Sequence, residues 1–293
     1  MKNLIIILAL IPTTLFAQEN LLDELNSQSK ETDYAFATFK STRLGNGHTV
    51  ETRSKNTLDF IFQHRFGSVE DGAYNLFGLD EASVRLALDY GITDKLSVSI
   101  GRNSVDKTMD GFLKYKLLRQ SKGVRNFPIT VTALANAAYR ISPKGSASTD
   151  RMSYTYQLLI ARKFSPGFSF QIMPTYVHKN AINTDAELAN QDQFALGFGG
   201  RLKVTRSIAL TAEYYANFNL GQYNFGGEFL PYHNSLCFGI DIETGGHVFQ
   251  LLLTNAIGLN ERAFITETED DFFSGSIHLG FNVSRTFELK KKK

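Results

Sequence analysis

The histidines are the first side chains of this sequence to consider for chemistry. The chain carries His48, His64, His178, His233, His247 and His278. No two of them stand at the spacing of a metal-binding pair such as His-x-His or His-Glu-x-x-His, and the single cysteine, Cys237, cannot complete a cysteine-rich metal site. The sequence therefore predicts no metal ion and no cofactor.

No motif indicates an enzymatic site either. A serine nucleophile needs a base and an orienting acid beside it, and the sequence lacks the Gly-x-Ser-x-Gly motif. The glycine-rich stretch 196–201 lies within an alternating pattern, whereas phosphate-binding loops lie between a strand and a helix. We therefore predict a protein that is not an enzyme, although a triad assembled only in space stays open.

Charged side chains supply the other candidate site, because they recur on one side of the alternating segments described below. On that side lie Arg85, Asp89, Arg201, Lys203, Glu213, Asp241 and Glu243. We expect Arg85 to meet Asp89 on its own strand. We also expect Arg201 and Lys203 to lie beside the strand that carries Glu213. Charges of this kind either tune the selectivity of a pore or pair across strands and fill a closed lumen.

Two histidines fall on the same side in our register. His64, in FQHRF, and His278, in SIHLGF, then lie in the first and last strands. If a barrel closes between those strands, the two imidazoles could meet and form a small site. The alternative is that each imidazole forms its own hydrogen bonds in the lumen.

The elements that position these side chains are strands, because apolar and polar residues alternate with a period of two. In TDKLSVSIG, residues 93–101, Leu96, Val98 and Ile100 alternate with serines and a glycine. A helical period fits none of the comparable segments. We predict twelve strands, at 57–66, 82–91, 95–103, 109–118, 127–139, 151–163, 168–178, 192–205, 207–218, 234–243, 247–256 and 276–287.

The connections between these strands alternate in length. Tight joints such as 91–95 and 165–167 alternate with longer polar connections such as 140–151 and 256–275. In an outer-membrane barrel the short turns lie at the periplasmic end and the long loops outside. An even number of strands also places both chain ends in the periplasm. A further hairpin within residues 34–56 would raise the count to fourteen.

Three features favour a barrel in lipid over a soluble β-sandwich. Nearly every segment reaches the roughly 9–11 residues that a tilted strand needs to cross a membrane. Tyr and Phe recur at strand ends, as in the aromatic girdles of membrane barrels, and Gly197 and Gly199 suit a curved wall or the close approach of a plug. The predicted fold is therefore all-β, a transmembrane antiparallel up-and-down β-barrel of about 12 (12–14) strands.

The start of the chain indicates export. Residues 1–17 have an early lysine, an apolar run and a small residue before Gln18, which is the pattern of a signal peptide. We assign residues 18–56 to an N-terminal periplasmic or lumenal, plug-like segment, residues 57–287 to the outer-membrane barrel and residues 288–293 to a basic tail. No run of 18 apolar residues follows the signal. The predicted location is the outer membrane of a Gram-negative cell.

The stretches FKSTR…NGH and DGFLKYKLLRQ resemble a known family. These stretches lie within residues 34–51 and 107–120. Through them the sequence resembles the DUF5777 family of β-barrel proteins of Bacteroidetes, a family without an assigned function. The resemblance extends over nearly the whole mature chain and implies an outer-membrane barrel. It brings no catalytic residue with it.

Two functions from different classes follow from this sequence. The first is a pore or transport protein for a small solute, with the charged lumen as its filter and the N-terminal segment as its gate. The second is a non-conducting structural or accessory barrel that presents its loops or its N-terminal segment to a partner. Outer-membrane lipid and, during biogenesis, the barrel assembly machinery are the expected partners of both. The net charge of +2 gives no reason to expect nucleic acid.

Overall fold

Among the residues that the structure describes, twelve antiparallel strands close into one barrel. The computed structural model describes residues 31–141, 147–180, 191–219, 222–223, 229–230 and 232–289. The barrel strands are β1 (Thr57–Ser68), β2 (Ala82–Gly91), β3 (Leu96–Asn103), β4 (Met109–Leu118), β5 (Thr130–Tyr139), β6 (Met152–Lys163), β7 (Phe168–Lys179), β8 (Asp192–Lys203), β9 (Ile208–Asn217), β10 (Leu236–Thr244), β11 (His247–Thr254) and β12 (His278–Glu288). Each pairs with its neighbours along the chain, and β12 pairs with β1. The predicted fold class is confirmed.

The strand boundaries follow the predicted ones to within a few residues, with one informative difference at β5. Expected from residue 127, this strand begins at Thr130. Phe127, at the predicted start, forms an isolated bridge with Ser121 instead, and Ser121–Gly123 pairs with Thr32–Tyr34 in a separate two-stranded sheet. The chain therefore fixes its N-terminal residues to one turn of the barrel before it enters the wall.

The outward side of the barrel is an apolar belt. Its exposed large side chains include Leu86, Leu88, Ile100, Leu113, Leu158, Leu210, Phe238, Ile240, Leu251 and Leu253. A continuous apolar surface of this extent is unfavourable in water, whereas hydrocarbon accepts it. The alternation of the sequence thus separates a lipid-facing side from a lumen-facing side.

Short turns lie at one end of the barrel. There β2 joins β3 through residues 92–95, β6 joins β7 through 164–167, and β8 joins β9 through 204–207. The N-terminal residues enter at this end, where the backbone N–H of Lys55 donates to Oδ1 of Asp94 at 2.9 Å. Because short turns mark the periplasmic end of outer-membrane barrels, we orient the protein with this end in the periplasm.

Two segments enter the lumen from opposite ends. Residues 35–56, here called the N-terminal insert, enter from the periplasmic end, and their residues 41–50 are all buried. Residues 255–270, here called the loop insert, fold back from the connection between β11 and β12, and their residues 258–266 are all buried. Both pack on the wall in one apolar cluster of Phe39, Leu44, Val50, Leu159, Ala161, Met173, Val177, Ala195, Tyr215, Ala256, Phe264 and Ile265. The connection expected as a polar outer loop is thus buried over its first half, because its apolar side chains reach this cluster.

Parts of the predicted organisation lie outside the described residues. The signal peptide assigned to 1–17 is one, and residues 290–293 of the basic tail are another. Of the segment assigned to 18–56, residues 31–56 are described, and the N-terminal insert accounts for all but the first four of these.

Candidate functional site

The lumen is the candidate site, and the tip of the N-terminal insert lies in it. Residues 42–49 form a tight hairpin, in which the N–H of Leu44 donates to the carbonyl of Gly47 at 2.9 Å. The N–H of Thr49 donates to the carbonyl of Thr42 at 3.0 Å. The sequence LGNG folds in this way because glycine and asparagine are favoured in tight turns.

One wall carboxylate binds the turn of this hairpin. Glu213 of β9 accepts hydrogen bonds from the N–H groups of Asn46, at 3.1 Å, and Gly47, at 3.0 Å. Because Glu213 is buried, these donors replace the water that its carboxylate requires. The side chain of Asn46 is bound as well: its Oδ1 accepts from Arg65 of β1 at 2.9 Å, and its Nδ2 donates to Thr254 of β11 at 2.9 Å.

Amide side chains of the wall pair with both arms of the hairpin. Gln171 of β7 accepts from the N–H of Val50 at 2.8 Å and donates to the carbonyl of His48 at 2.7 Å. On the other arm, Gln250 of β11 donates to the carbonyl of Leu44 at 2.9 Å. Main-chain groups inside the lumen thus find the partners that buried backbone requires.

Two further wall side chains donate to hairpin carbonyls. Nζ of Lys114, on β4, donates to Thr42 at 3.4 Å and to Thr49 at 3.1 Å, one carbonyl on each arm. Nδ2 of Asn282, on β12, donates to Gly45 at 2.9 Å. The hairpin is therefore bound from several sides of the barrel at once.

Two glycines of the turn lie where the wall leaves no room for a side chain. A Cβ at Gly45 would lie 2.7 Å from Sγ of Cys237, and a Cβ at Gly47 would lie 2.2 Å from Oη of Tyr215. Both distances are shorter than any real Cβ contact. Glycine is therefore required at position 47 for the hairpin to reach its place in the lumen. A side chain at position 45 must either displace the sulfur of Cys237 or bond to it.

The loop insert is built around a short helix, α1 (Glu261–Thr266). Asn260 caps the helix, because its Oδ1 accepts from the N–H of Ala263 at 3.0 Å. Phe264 is fully buried and packs edge-on against the ring of Tyr215, with the ring centroids 5.2 Å apart. None of the helices in the described ranges is long and apolar enough to cross a membrane.

The two inserts meet in a buried ion pair. Nη1 of Arg43 and Nε2 of His48 each lie 2.8 Å from Oε1 of Glu261, and all three side chains are buried. Burial, and after it the charges of Arg43 and Lys114, hold the pKa of His48 well below its usual value. Burial alone would raise the pKa of Glu261, but the charge of Arg43 lowers it well below its usual value. At neutral pH the histidine is therefore uncharged and the glutamate ionised.

A second charge network holds the loop insert to the outer end of the barrel. Glu267 pairs with Arg262 of α1 and with Lys179 of β7, whose Nζ lies 3.2 Å from Oε1 of Glu267. Nη2 of Arg262 also lies 3.2 Å from Oδ2 of Asp106. Burial would raise the pKa of Glu267, but the charges of Arg262 and Lys179 lower it to about 2. The ionised glutamate is thus part of what keeps this end closed.

The predicted lumen residues Arg85 and Asp89 are both buried on the inward side of β2, but they do not pair with each other. Nε of Arg85 donates to Oδ1 of Asp110 on β4 at 2.9 Å, and Nη1 donates to Gln63 of β1 at 2.9 Å. Asp89 accepts a hydrogen bond of 3.4 Å from Thr42 of the N-terminal insert. Asp110 lies two strands away from Arg85, and Gly101 of β3 leaves the space between them free: a Cβ there would lie 2.6 Å from Nη2 of Arg85. The arginine therefore crosses this glycine to an acid on another strand instead of pairing on its own strand.

The other predicted charges do not gather around Glu213. Arg201 of β8 pairs with Glu243 of β10, and its Nε lies 3.5 Å from Oδ2 of Asp241. Lys203 is exposed at the end of its strand. Glu213 binds the hairpin instead, so the lumen charges form separate groups.

His64 lies on the outward side of β1. Its ring stacks on that of Phe281 with the centroids 5.1 Å apart, and Phe281 is its partner across the β1–β12 ladder. The prediction that His64 faces the lumen is wrong, because β1 presents Gln63 and Arg65 to the lumen, where both are fully buried. His64 stands between these two residues, and successive side chains of a strand point to opposite faces, so His64 points away from the lumen.

His278 is buried on the inward side of β12 and does not meet His64. Its Nε2 lies 2.9 Å from Oδ2 of Asp270, and its Nδ1 lies 3.0 Å from the carbonyl oxygen of Phe66. Both ring nitrogens therefore have partners. Within the described ranges no group of three side chains is arranged to hold a metal ion.

A cavity of about 910 Å³ lies between the N-terminal insert and the wall at the periplasmic end. Its lining includes the basic residues Lys40, Arg53, Lys116 and Arg119 and the acidic residue Glu51. Nζ of Lys116 lies 3.3 Å from Oε2 of Glu51. The insert thus leaves free space near the periplasm, whereas its hairpin is in close contact with the wall.

Sequence reasoning missed the residues that join the two inserts. The Asn-Gly pair at 46–47 is a turn signal and could have located the hairpin. No sequence signal connects Arg43 with Glu261, because 218 positions separate them along the chain. Their contact depends on the closure of the barrel around both inserts.

Comparisons with known proteins concern the whole barrel. A family model described as "Membrane bound beta barrel domain (DUF5777)" matches residues 39–287. Among curated proteins, none matches this sequence. The fold and the match together point to the outer membrane.

Solved outer-membrane barrels superpose on this chain at low sequence identity. The COG4313 outer membrane channel from Pseudomonas putida F1 does so with a TM-score of 0.51 and 11% identity, over 85% of this chain and 100% of that one. The KdgM porin gives 0.46 and 8%, over 79% and 99%. The outer membrane phospholipase A from Escherichia coli gives 0.39 and 13%, over 86% and 96%. At such identities the likeness concerns the fold alone.

Proposed function

Because this chain belongs to the DUF5777 family of membrane-bound β-barrel domains, we propose that it is an outer-membrane pore for a small solute, closed by its N-terminal insert. The observation that carries the proposal is the docked hairpin: residues 41–50 are buried in the lumen, and wall side chains such as Gln171 and Gln250 bind their main chain. The insert is held at the periplasmic end on both sides, by β1 after it and by the pairing of Thr32–Tyr34 with Ser121–Gly123 before it. It can therefore leave the lumen towards the periplasm without breaking any pairing between the twelve barrel strands.

The open lumen would retain a charged wall. Arg85 and Asp110 form one pair in it, and Arg201 and Glu243 form another nearer the periplasm. Rings of charge of this kind select among ions and polar solutes by electrostatics. In the closed arrangement the same charges serve as partners for one another and for the insert.

A disulfide between the hairpin and the wall tests the proposal in the full chain. An ideal Cβ at Gly45 lies 3.5 Å from Cβ of Cys237, which is within the separation of about 3.5–4.5 Å that disulfides adopt. We expect the oxidised Gly45→Cys variant to show no openings in planar bilayers. Reductant should restore openings at least as frequent as those of the wild type, because the free side chain at position 45 collides with Sγ of Cys237. The control combines Gly45→Cys with Cys237→Ser and should not respond to oxidation.

Two results contradict the plugged pore. One is equal conductance of the oxidised and reduced Gly45→Cys protein. The other is a wild-type protein that never opens at any voltage. In that case the second candidate function, a non-conducting accessory barrel, is the better one, and the buried pair of Arg43 with Glu261 favours it because that pair joins both inserts.

The cellular setting of the proposal rests on the sequence. Export through the signal peptide of residues 1–17, a source among the Bacteroidetes, and assembly by the barrel assembly machinery belong to it. So does the lack of an enzymatic role, for which the missing nucleophile motif is the support. Fractionation tests the location: the protein should sediment with outer membranes and change its gel mobility on heating. Recovery in the soluble periplasm would reject this placement.

A further inference from the structure

The lumen wall binds the hairpin mainly through main-chain groups. Gln171 and Glu213 accept from its N–H groups, while Gln171, Gln250 and Asn282 donate to its carbonyls. None of these contacts depends on which side chains the hairpin carries. The same wall would bind any peptide that adopts the same turn.

Three positions of the hairpin are nevertheless selected by shape and polarity. Gly47 has no room for a side chain. Leu44 packs where Gly199 of β8 lacks a side chain, since a Cβ there would lie 2.3 Å from Cδ2 of Leu44. The amide of Asn46 is bound at both its oxygen and its nitrogen. Together these contacts select an apolar residue followed by Gly-Asn-Gly.

We infer that the emptied lumen is a binding site for peptides that form an apolar-Gly-Asn-Gly turn, and that such peptides are the solute class of this pore. The inference rests on the proposed function, because the site is free only when the hairpin has left it. The resident hairpin is then an internal competitor that occupies the site until a peptide replaces it.

Peptide chemistry fits this wall better than an inorganic ion does. The carboxylate of Glu213 is buried and binds two successive N–H groups, which a peptide main chain presents without adding charge. An anion would be repelled by this carboxylate, and a cation would leave the buried amide donors of Gln250 and Asn282 without acceptors. Gln171 uses both ends of its amide on residues two apart, as a neighbouring strand does.

A full-chain variant that cannot dock its own hairpin tests the inference. In Gly47→Val the new side chain collides with Tyr215, which excludes the hairpin from its site. With the hairpin excluded, only the loop insert still closes the lumen, so we expect this variant to conduct more than the wild type. A synthetic peptide with the sequence of residues 38–51 should block the current and raise the Tm. The same peptide carrying Gly47→Val, and maltohexaose, should need a concentration roughly tenfold higher or more. The wild-type protein, whose own hairpin competes for the site, should need a higher concentration of the peptide of residues 38–51 than the variant does.

The outcomes separate this inference from the proposed function. If the variant conducts but the peptide acts no better than the altered peptide or the oligosaccharide, the peptide site is rejected and the plugged pore stands. If the variant does not conduct, the plugged pore is rejected, and the change in Tm with peptide decides the binding site alone. A second variant, with residues 42–49 replaced by glycine and serine, serves if Gly47→Val does not fold. If neither folds, the hairpin is an indispensable part of the barrel and both proposals fail.

Discussion

The two inserts fill one lumen but are held in different ways. The N-terminal insert is bound by wall side chains such as Gln171 and Gln250, which are uncharged and contact its main chain. The loop insert is bound by ion pairs of side chains, such as those of Glu267 with Lys179 and Arg262. Neutral main-chain contacts do not respond to salt, whereas partly exposed ion pairs do. Each insert also has its own acid-sensitive group, His48 in the first and Glu267 in the second. The two ends of the lumen should therefore open under different conditions.

The inserts also differ in how the chain holds them. The N-terminal insert is held at the periplasmic end, through β1 and through the pairing of Thr32–Tyr34 with Ser121–Gly123, while the loop insert is joined to β11 and β12 at the outer end. The first can leave the lumen only towards the periplasm, and the second only outward. The pair of Arg43 with Glu261 is where the two meet, so it links their movements.

Removing the charge of Glu261 should have the largest effect on stability, because this side chain joins the two inserts. Glu261→Gln leaves the buried charge of Arg43 without its carboxylate, which costs about 3–5 kcal/mol when one partner of a buried pair is removed. We expect a large fall in Tm and more frequent openings in planar bilayers.

A double variant provides the control for that prediction. In Arg43→Met with Glu261→Leu both charges are gone, and buried pairs replaced by apolar side chains often retain stability. Most of the lost Tm should return. If the double variant is as unstable as Glu261→Gln, hydrogen bonds of the hairpin and not the unpaired charge explain the loss.

Glu267 should affect the loop insert alone and by a smaller amount. Its pKa of about 2 lies below the ordinary value of 4.5, so its contribution is complete above pH 4.5 and is lost as the pH falls towards 2. Glu267→Gln should remove that contribution at neutral pH, at a cost of about 1.5–3 kcal/mol, measured as Tm. High salt should reproduce part of the loss.

Asp106 is the matched control for Glu267. It contacts the same Arg262, but 35% of its side chain is exposed, and its positive φ of 53° suits asparagine as well. Asp106→Asn should therefore change the Tm little. Equal losses for the two variants would show that exposure does not govern the strength of this network.

His48 should make the N-terminal insert sensitive to acid between pH 7 and pH 5, a range in which Glu267 of the loop insert does not titrate. This is the smallest of the predicted effects. Its pKa is held well below the ordinary 6.5 while the hairpin is docked among Arg43, Lys114 and Glu261. An undocked His48 binds a proton near pH 6.5 and the docked one does not, so acid below that pH favours undocking. The uptake of this one proton can change the free energy of docking by at most about 1.4 kcal/mol per pH unit.

Bilayer recordings between pH 7 and pH 5 measure this effect. Openings of the wild type should increase as the pH falls through this range, and His48→Asn should remove the increase because asparagine does not titrate. If the openings of His48→Asn still increase as the pH falls, another titrating group causes the increase. A step that begins only below pH 4.5 would assign it to the glutamates of the loop insert.

Much of the barrel was predictable because strand patterns are local. Leu96, Val98 and Ile100 face away from the lumen in the structure as in the sequence pattern, since alternation needs only neighbouring residues. His64 shows the error that polarity alone introduces. Its imidazole suggested the lumen, but it shares its side of β1 with Phe62 and stacks on Phe281.

The sequence by itself determined the barrel and the inward side of most charged residues, because a period of two over each strand fixes which side meets lipid. It left the strand count between twelve and fourteen, and the structure has twelve. Only the tertiary structure decided which charges meet, because partners such as Arg85 with Asp110 and Arg43 with Glu261 lie on different segments. The loop insert shows the reason most clearly. Its polar residues look like those of a solvated loop, and they are buried only because distant parts of the closed barrel supply their hydrogen bonds and opposite charges.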